Sequence, residues 1–335
     1  MKKLIFASLV LTAFLFSTGC HEDHYVKIMG ETQGTTYHII YNKDAMLKPQ
    51  IDSILSAIDR SVSIFNEQSI ISKVNRNEPI ELDEHFINIF NKAKEISEAT
   101  NGSFDITVAP LVEAYGFGSG QRLKSLSQKQ IDSMLQFIGY NKIKIKGNKI
   151  EKDDPRIQLD MNAIAQGYTV DVIADYFDQL GIRDYLIEVG GEVKAKGKSE
   201  AGGPWRIGID KPIENTDEIT RQVELIVGLE GPERAIATSG NYRRFYVENG
   251  IKFTHTIDPF TGKPARDSLL SATIISKDCA TADGYATACM VVGLKRAIEL
   301  VENNPKLEAF FIYFNKDGVY KFYFTDGFKR YIIEE

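Results

Sequence analysis

Between Ala237 and Thr287 the chain interleaves turn formers with side chains able to move a proton or hold a cation. Asp283 and Thr287 are four residues apart in a stretch of helical character, so a carboxylate and a hydroxyl emerge on one helix face, one turn apart. Such a pair suits a hard cation but fills too few positions of an Mg²⁺ octahedron. Backbone carbonyls, water and the phosphate oxygens of a substrate would have to supply the rest. The same two residues also read as a helix N-terminal acid and a packed hydroxyl. His255, alone among His21, His24, His38, His85 and His255, sits among turns and near acids, in His255-Thr256-Ile257-Asp258-Pro259. A histidine there can act as a base near neutral pH, although a lone histidine is more often a surface or core residue. Gly190-Gly191 either lets a ligand approach the backbone or makes a turn. Asp160 stands where a helix cap is the plain explanation.

The elements that must position these groups follow from periodicity. Tyr37 to Tyr41, Tyr185 to Val189 and Val223 to Leu229 read as strands. Ile143 to Ile150 reads as strand material around Gly147-Asn148, and Ala309 to Phe314 pairs with Tyr320 to Phe324 across Asp317-Gly318. Apolar residues at helical spacing predict helices from Ile51 to Val62 behind Pro49, from Phe86 to Ile96, from Ala163 to Leu180 and from Thr281 to Val292. Glycine-rich breaks fall at Tyr115 to Gly120 and Ala201 to Pro204. Strands and helices do not alternate regularly, which predicts an α+β fold with mixed, largely antiparallel sheets and flanking helices.

Composition narrows the partners. The 335 residues are 43% hydrophobic and 26% charged, enough for a large globular domain. Lys+Arg total 40 against 46 Asp+Glu, a formal charge of −6, which gives no general attraction to nucleic-acid phosphate. Residues 1–19 read as a signal peptide: Lys2-Lys3, an apolar run from Leu4 to Phe16, then Ser17-Thr18-Gly19 ahead of Cys20. The run is too short to cross a hydrocarbon layer of ~30 Å. Small residues before a cysteine resemble a bacterial lipobox, with Ser17 where leucine is common. Lipidation of Cys20 would anchor the chain to a bilayer on the periplasmic side of a bacterial membrane. Loss of Lys2 and Lys3 takes the charge from −6 to −8, so acyl chains rather than basic residues must hold it there. Residues 20–30 are expected to be a tether and 31–335 the domain. Cys279 and Cys289 lie among small apolar residues and are expected to pack as free thiols.

Eight ordered stretches together resemble the ApbE family of flavin transferases. They are Gly34-Thr35-Thr36, Ser61 to Asn75 (SVSIFNEQSIISKVN), Gly102 to Gly118 (GSFDITVAPLVEAYGFG) and Asp160 to Asp171 (DMNAIAQGYTVD). Glu188 to Glu192 (EVGGE), Ala235 to Arg243 (AIATSGNYR), His255 to Pro264 (HTIDPFTGKP) and Ala282 to Gly293 (ADGYATACMVVG) complete the set. An ordered match of this extent is far more specific than any single short motif.

The resemblance implies an ApbE-like fold with FAD bound between subdomains and Mg²⁺ bridging its pyrophosphate. It assigns the metal to side-chain oxygens of Asp283 and Thr287 and main-chain oxygens of Ala163 and Ala286. Gln33, Phe65, Ser103, Phe104, Asp105, Asp160, Gln166 and Ile257 fall around the flavin nucleotide. Gln166 stands where many members have Lys or Glu, and Gln33 where Met is frequent. His255 is implied as the base, with Asp283 beside it in the catalytic set. The reaction implied is transfer of FMN from FAD to a Ser/Thr hydroxyl of an acceptor protein, leaving a phosphoester and releasing AMP. Acceptors would be subunits of membrane redox complexes. Water in place of the hydroxyl would make the same site an FAD pyrophosphatase, and a flavin-binding lipoprotein without turnover is the third reading.

Overall fold

The computed structural model describes residues 24–118, 126–213, 222–242, 245–248 and 251–334. In chain order its strands begin with β1 (Tyr25–Thr32), β2 (Thr35–Asn42), β3 (Ile143–Lys146), β4 (Lys149–Lys152), β5 (Tyr185–Val189), β6 (Glu192–Gly197), β7 (Trp205–Asp210) and β8 (Val223–Leu229). They continue with β9 (Gly231–Gly240), β10 (Phe245–Glu248), β11 (Ile251–Thr254), β12 (Leu269–Ser276), β13 (Glu308–Phe314), β14 (Tyr320–Phe324) and β15 (Ile332–Glu334). The helices are α1 (Lys48–Val62), α2 (Ile70–Asn75), α3 (Glu84–Ala99), α4 (Ala109–Ala114), α5 (Gln128–Leu135), α6 (Asn162–Gln179), α7 (Cys279–Val292) and α8 (Leu294–Glu302).

β1, β2, β5, β6, β9, β12, β13 and β14 lie side by side in that order, and every pairing is antiparallel. Both faces of this sheet are covered. On one, Tyr37, Ile39 and Tyr41 of β2 and Tyr185 and Ile187 of β5 pack against Ile51 and Leu55 of α1 and Ile173 and Phe177 of α6. Ala272 and Ile274 of β12 and Phe311 of β13 extend that layer beneath α3 and α7. On the other face, Ile236, Ile275, Phe310 and Ile312 meet Trp205, Ile209, Leu225 and Val227 of the smaller β15-β8-β7 sheet. Neighbouring residues of β9, β12 and β13 therefore enter different cores, as the two-residue period of a strand requires. Burial of one side chain such as Phe177 or Phe311 is worth about 1.5–3 kcal/mol. An exposed pair such as Lys48–Asp52 is worth about 0–1 kcal/mol, so packing fixes α6 and α7 on the sheet.

The α+β architecture is as expected, and the expected helices and the C-terminal hairpin are present with ends shifted by a few residues. One boundary needs correcting. The tether expected over residues 20–30 ends sooner, because Tyr25 onward is β1, hydrogen-bonded along its length to β2 with Ile28 buried against the helical layer. The expected signal peptide and Cys20 lie outside the described residues, as does part of the break at Tyr115 to Gly120. Cys279 and Cys289 are buried free thiols. Burial pushes both thiols well above their ordinary range, so they pack and do not react.

Candidate active site

α6 is the spine of the site. Ala163, Gln166, Gly167 and Thr169 lie on its first two turns, and α7 crosses it at Gly167. A Cβ on Gly167 would lie 2.5 Å from the Cys279 carbonyl oxygen, so only glycine permits this approach. Asp283, one turn beyond Cys279 on α7, is thereby brought onto α6, where its Oδ2 accepts the Gly167 N–H at 3.2 Å. Helix geometry aims that same N–H at the carbonyl of Ala163, so the carboxylate and the Ala163 oxygen share one donor. The second oxygen of Asp283 accepts no hydrogen bond among the described residues, although the residue is only 6% exposed. Burial pushes its pKa up to about 8, and the neighbouring Asp171 adds to the shift. Thr287, one turn further, reaches Ser239 of β9, with Oγ to Oγ1 at 3.3 Å. No cluster of three His, Cys, Asp or Glu stands among the described residues. A single carboxylate with a free oxygen, a hydroxyl and a main-chain carbonyl is an oxygen-only set that fits Mg²⁺ and not a soft metal.

A cleft of about 220 Å³ opens beside the start of α6, lined by Asp160, Gln158, Glu113, Val112, Asn75 and Arg76. Asp160 Oδ1 accepts the Asn162 N–H at 2.8 Å in the turn that enters α6, whose N-cap is Met161, and its own N–H bonds to Ile106 O at 2.8 Å. Phe65 follows Ile64 of the cleft wall and is 60% exposed. The next wall is α4, whose Leu111 and Val112 pack in a small cluster with Tyr115, Phe117 and Ile257. His255 stands edge-on to Phe117, ring centroids 6.2 Å apart at 67°. Phe117 in turn stacks on Tyr246 at 5.4 Å, and Tyr246 on Phe253 at 5.0 Å. The β10-β11 hairpin is thus held against the end of α4, and His255 leaves it directly.

Not every expected residue presents its side chain to this space. Asp105 spends both carboxylate oxygens on the fold: Oδ1 accepts Thr107 N–H at 2.8 Å and its hydroxyl at 2.6 Å, and Oδ2 accepts Tyr140 N–H at 2.8 Å. Burial raises its pKa against those bonds. Phe104 is 2% exposed and fills the core beneath Gly284 of α7, so only its main chain is available to a ligand. Ser103 is likewise buried. Gln33 occupies the two-residue β1-β2 turn at φ 51°, followed by Gly34 at φ 72°. Its Nε2 donates to Thr169 Oγ1 at 2.7 Å, while its Oε1 is buried with no partner. Gln166 lies against Gly190, whose φ of 66° and lack of Cβ leave room for the amide.

Sequence reading passed over Asp171, Lys194 and the crossing at Gly167. Asp171 accepts the N–H groups of Cys279 and Ala280, each at 2.9 Å, and meets Lys194 Nζ at 2.9 Å. A glycine inside an apolar helical run was the available signal for the crossing.

The family model for ApbE matches residues 33–311. The chain belongs to the ApbE family. Over 333 residues it is 34% identical to a FAD:protein FMN transferase of Vibrio cholerae, spanning 96% of this chain and 97% of that one. A FAD:protein FMN transferase of Haemophilus influenzae is 35% identical over 321 residues, 91% of each chain. Among solved structures, the flavin transferase ApbE from Vibrio cholerae superposes with a TM-score of 0.82, covering 92% of this chain and 99% of that one. The apo flavinyl transferase ApbE of Pseudomonas stutzeri gives a TM-score of 0.81 at 30% identity, covering 92% and 97%. This ApbE chain thus shares both layers and nearly its full described length with proteins named as flavin transferases.

Proposed function

We propose that the chain transfers FMN from FAD to a Ser or Thr hydroxyl of an acceptor protein, with a divalent cation at the diphosphate. The observation that carries the metal part is the largely buried Asp283 carboxylate, with one oxygen that accepts no hydrogen bond among the described residues and the other on the Gly167 N–H, which helix geometry also aims at the Ala163 carbonyl. The flavin transfer for which the Vibrio cholerae and Haemophilus influenzae relatives are named supports the flavin part. Asp283, Thr287 and the main-chain oxygens of Ala163 and Ala286 would hold Mg²⁺. When bound, the ion withdraws charge from diphosphate oxygens, which favours departure of AMP.

The chain's own residues supply the rest. His255 is the base: it takes the acceptor hydroxyl proton as that oxygen bonds to the FMN-side phosphorus and the bond to the AMP phosphate breaks. Phe117 packs edge-on against the His255 ring. The cleft at Asp160 and exposed Phe65 offer a polar wall and an aromatic face for the nucleotide. We further infer that Cys20 is lipidated and holds the protein on the periplasmic side of a membrane, where acceptor subunits of redox complexes would be met.

The test is incubation of the protein with FAD, Mg²⁺ and candidate acceptor domains, following covalent flavin fluorescence on the denatured acceptor. Fluorescence that requires Mg²⁺ and a Ser/Thr in the acceptor supports transfer. Free FMN and AMP without labelled protein would assign hydrolysis instead, and FAD left intact would refute both.

A further inference from the structure

Two antiparallel contacts lock α7 onto α6. Gly167 N–H meets Asp283, and Asp171, one turn further along α6, meets Cys279 and Ala280, one turn back along α7. The matched four-residue spacings fix the register of one helix on the other, and a slip would break both contacts together. Asp171 also does the work of a cap. Its two oxygens take the N–H groups of Cys279 and Ala280, and Asp278 takes that of Thr281 at 3.0 Å. Two carboxylates thereby satisfy the otherwise unpaired first-turn donors of α7.

Asp171 is itself held from the sheet. Lys194 of β6 is 4% exposed and lies 2.9 Å from Asp171 Oδ1 and 3.0 Å from Glu233 Oε2 of β9. Burial works against the ammonium, yet the two carboxylates hold its pKa above the ordinary lysine value, so it stays charged. The chain of contacts runs from β6 and β9 through Lys194 and Asp171 to the first turn of α7, and from there one turn to Asp283.

We propose that Asp171, anchored by Lys194, is a positioning residue that sets the register of α7 and so aims the Asp283 and Thr287 oxygens at the cation. It touches neither the cation nor the substrate. This rests on the metal assignment above. Removal of partners behind metal ligands typically costs about 10–100-fold in metal affinity, and Asp171→Asn is expected near the lower end, about 10-fold. An asparagine offers one acceptor where two N–H groups and an ammonium need several, and its own NH₂ faces donors.

The experiment is an Mn²⁺ titration by electron paramagnetic resonance on the FAD-loaded protein, with thermal unfolding and metal-free FAD binding measured alongside. Asp283→Ala first shows whether the cation binds there at all. If the parent and Asp283→Ala bind Mn²⁺ alike, the metal assignment fails. If Asp283→Ala loses binding, Asp171→Asn and Lys194→Met are expected to weaken it about 10-fold while leaving metal-free FAD affinity within twofold. Lys194→Arg should recover most of the loss, which a purely structural role would not require. Folded Asp171→Asn and Lys194→Met proteins with Mn²⁺ affinity within twofold of the parent would overturn the proposal. Should Asp171→Asn fail to fold, the comparison of Lys194→Met with Lys194→Arg decides the question alone.

Discussion

Replacing Gly167 by alanine sets helix propensity against packing. In a helix interior the change should stabilise by about 0.8–1 kcal/mol. Here the added Cβ would sit 2.5 Å from Cys279 O, 2.8 Å from its carbonyl carbon and 2.9 Å from Ala280 Cα, all main-chain atoms that cannot rotate aside. To reach ordinary contact at 3.4 Å, α7 must retreat by about 0.9 Å, and overpacking of this kind costs about 1–3 kcal/mol. The net loss of stability should therefore be modest, about 1 kcal/mol. The loss of activity should be larger, because the retreat carries Asp283 away from Ala163. A misplacement of ~1 Å at a reacting site can cost ~10²-fold. Denaturant midpoints give the first quantity, and the rate of Mg²⁺-dependent AMP release from FAD gives the second. A Gly167→Ala protein that gains the full propensity term and keeps the parental rate would refute the reasoning.

His255→Ala should lower transfer by about 10²–10⁴-fold with little change in FAD affinity, measured by flavin fluorescence on the acceptor and by equilibrium binding. The raised pKa of Asp283 sets a pH dependence. Native protein binds more protons there than the unfolded chain between pH ~4 and about 8, so metal-free stability should fall as pH rises through that window. Thermal melts with a chelator should show this slope, Asp283→Asn should reduce it while the part carried by the likewise raised Asp171 and Asp105 remains, and Mg²⁺ should restore stability at pH 8.5 in the parent alone. Gln33→Met removes the buried orphan Oε1 but also the Nε2 bond to Thr169 Oγ1, which keeps only its own donation to Ala165 O, so the two effects should nearly cancel and the ligand-free protein should stay within about 1 kcal/mol of the parent in denaturant unfolding.

Much of this was legible where periodicity was undiluted. Ile51, Leu55 and Ile58 mark α1 because only one of its faces is buried. The pairing of Asp283 with Thr287 follows from a four-residue spacing that holds in any helix. β12 was missed because Leu269–Ser276 is buried on both faces and shows no alternation. β1 was missed because its alternation is weak, with Ile28 its one buried residue. α5 did carry a usable signal, since Ser127 and Gln130 have the spacing of the capping box they form. Asp171 closes a matched stretch without a role of its own, and Lys194 gave no signal: a lysine in a short strand reads as a surface residue, and the pair meets only after β6 is laid under α6. The carboxylate of Asp105 shows the converse limit, since resemblance marks the position while its hydrogen bonds tie it to the turn at Tyr140.

β1 is the outermost strand at its edge of the large sheet, and its eight residues run unbroken from Tyr25 to the turn at Gln33. At ~3.4 Å per residue that strut is about 27 Å long. Any leash upstream of Tyr25 therefore grips the molecule at one corner, with Gln33 and Thr169 a full strut length away. Tension on such a leash would load the β1-β2 hydrogen bonds before it reached the crossing of α6 and α7, leaving the Asp283 and Thr287 oxygens mechanically insulated from the pull.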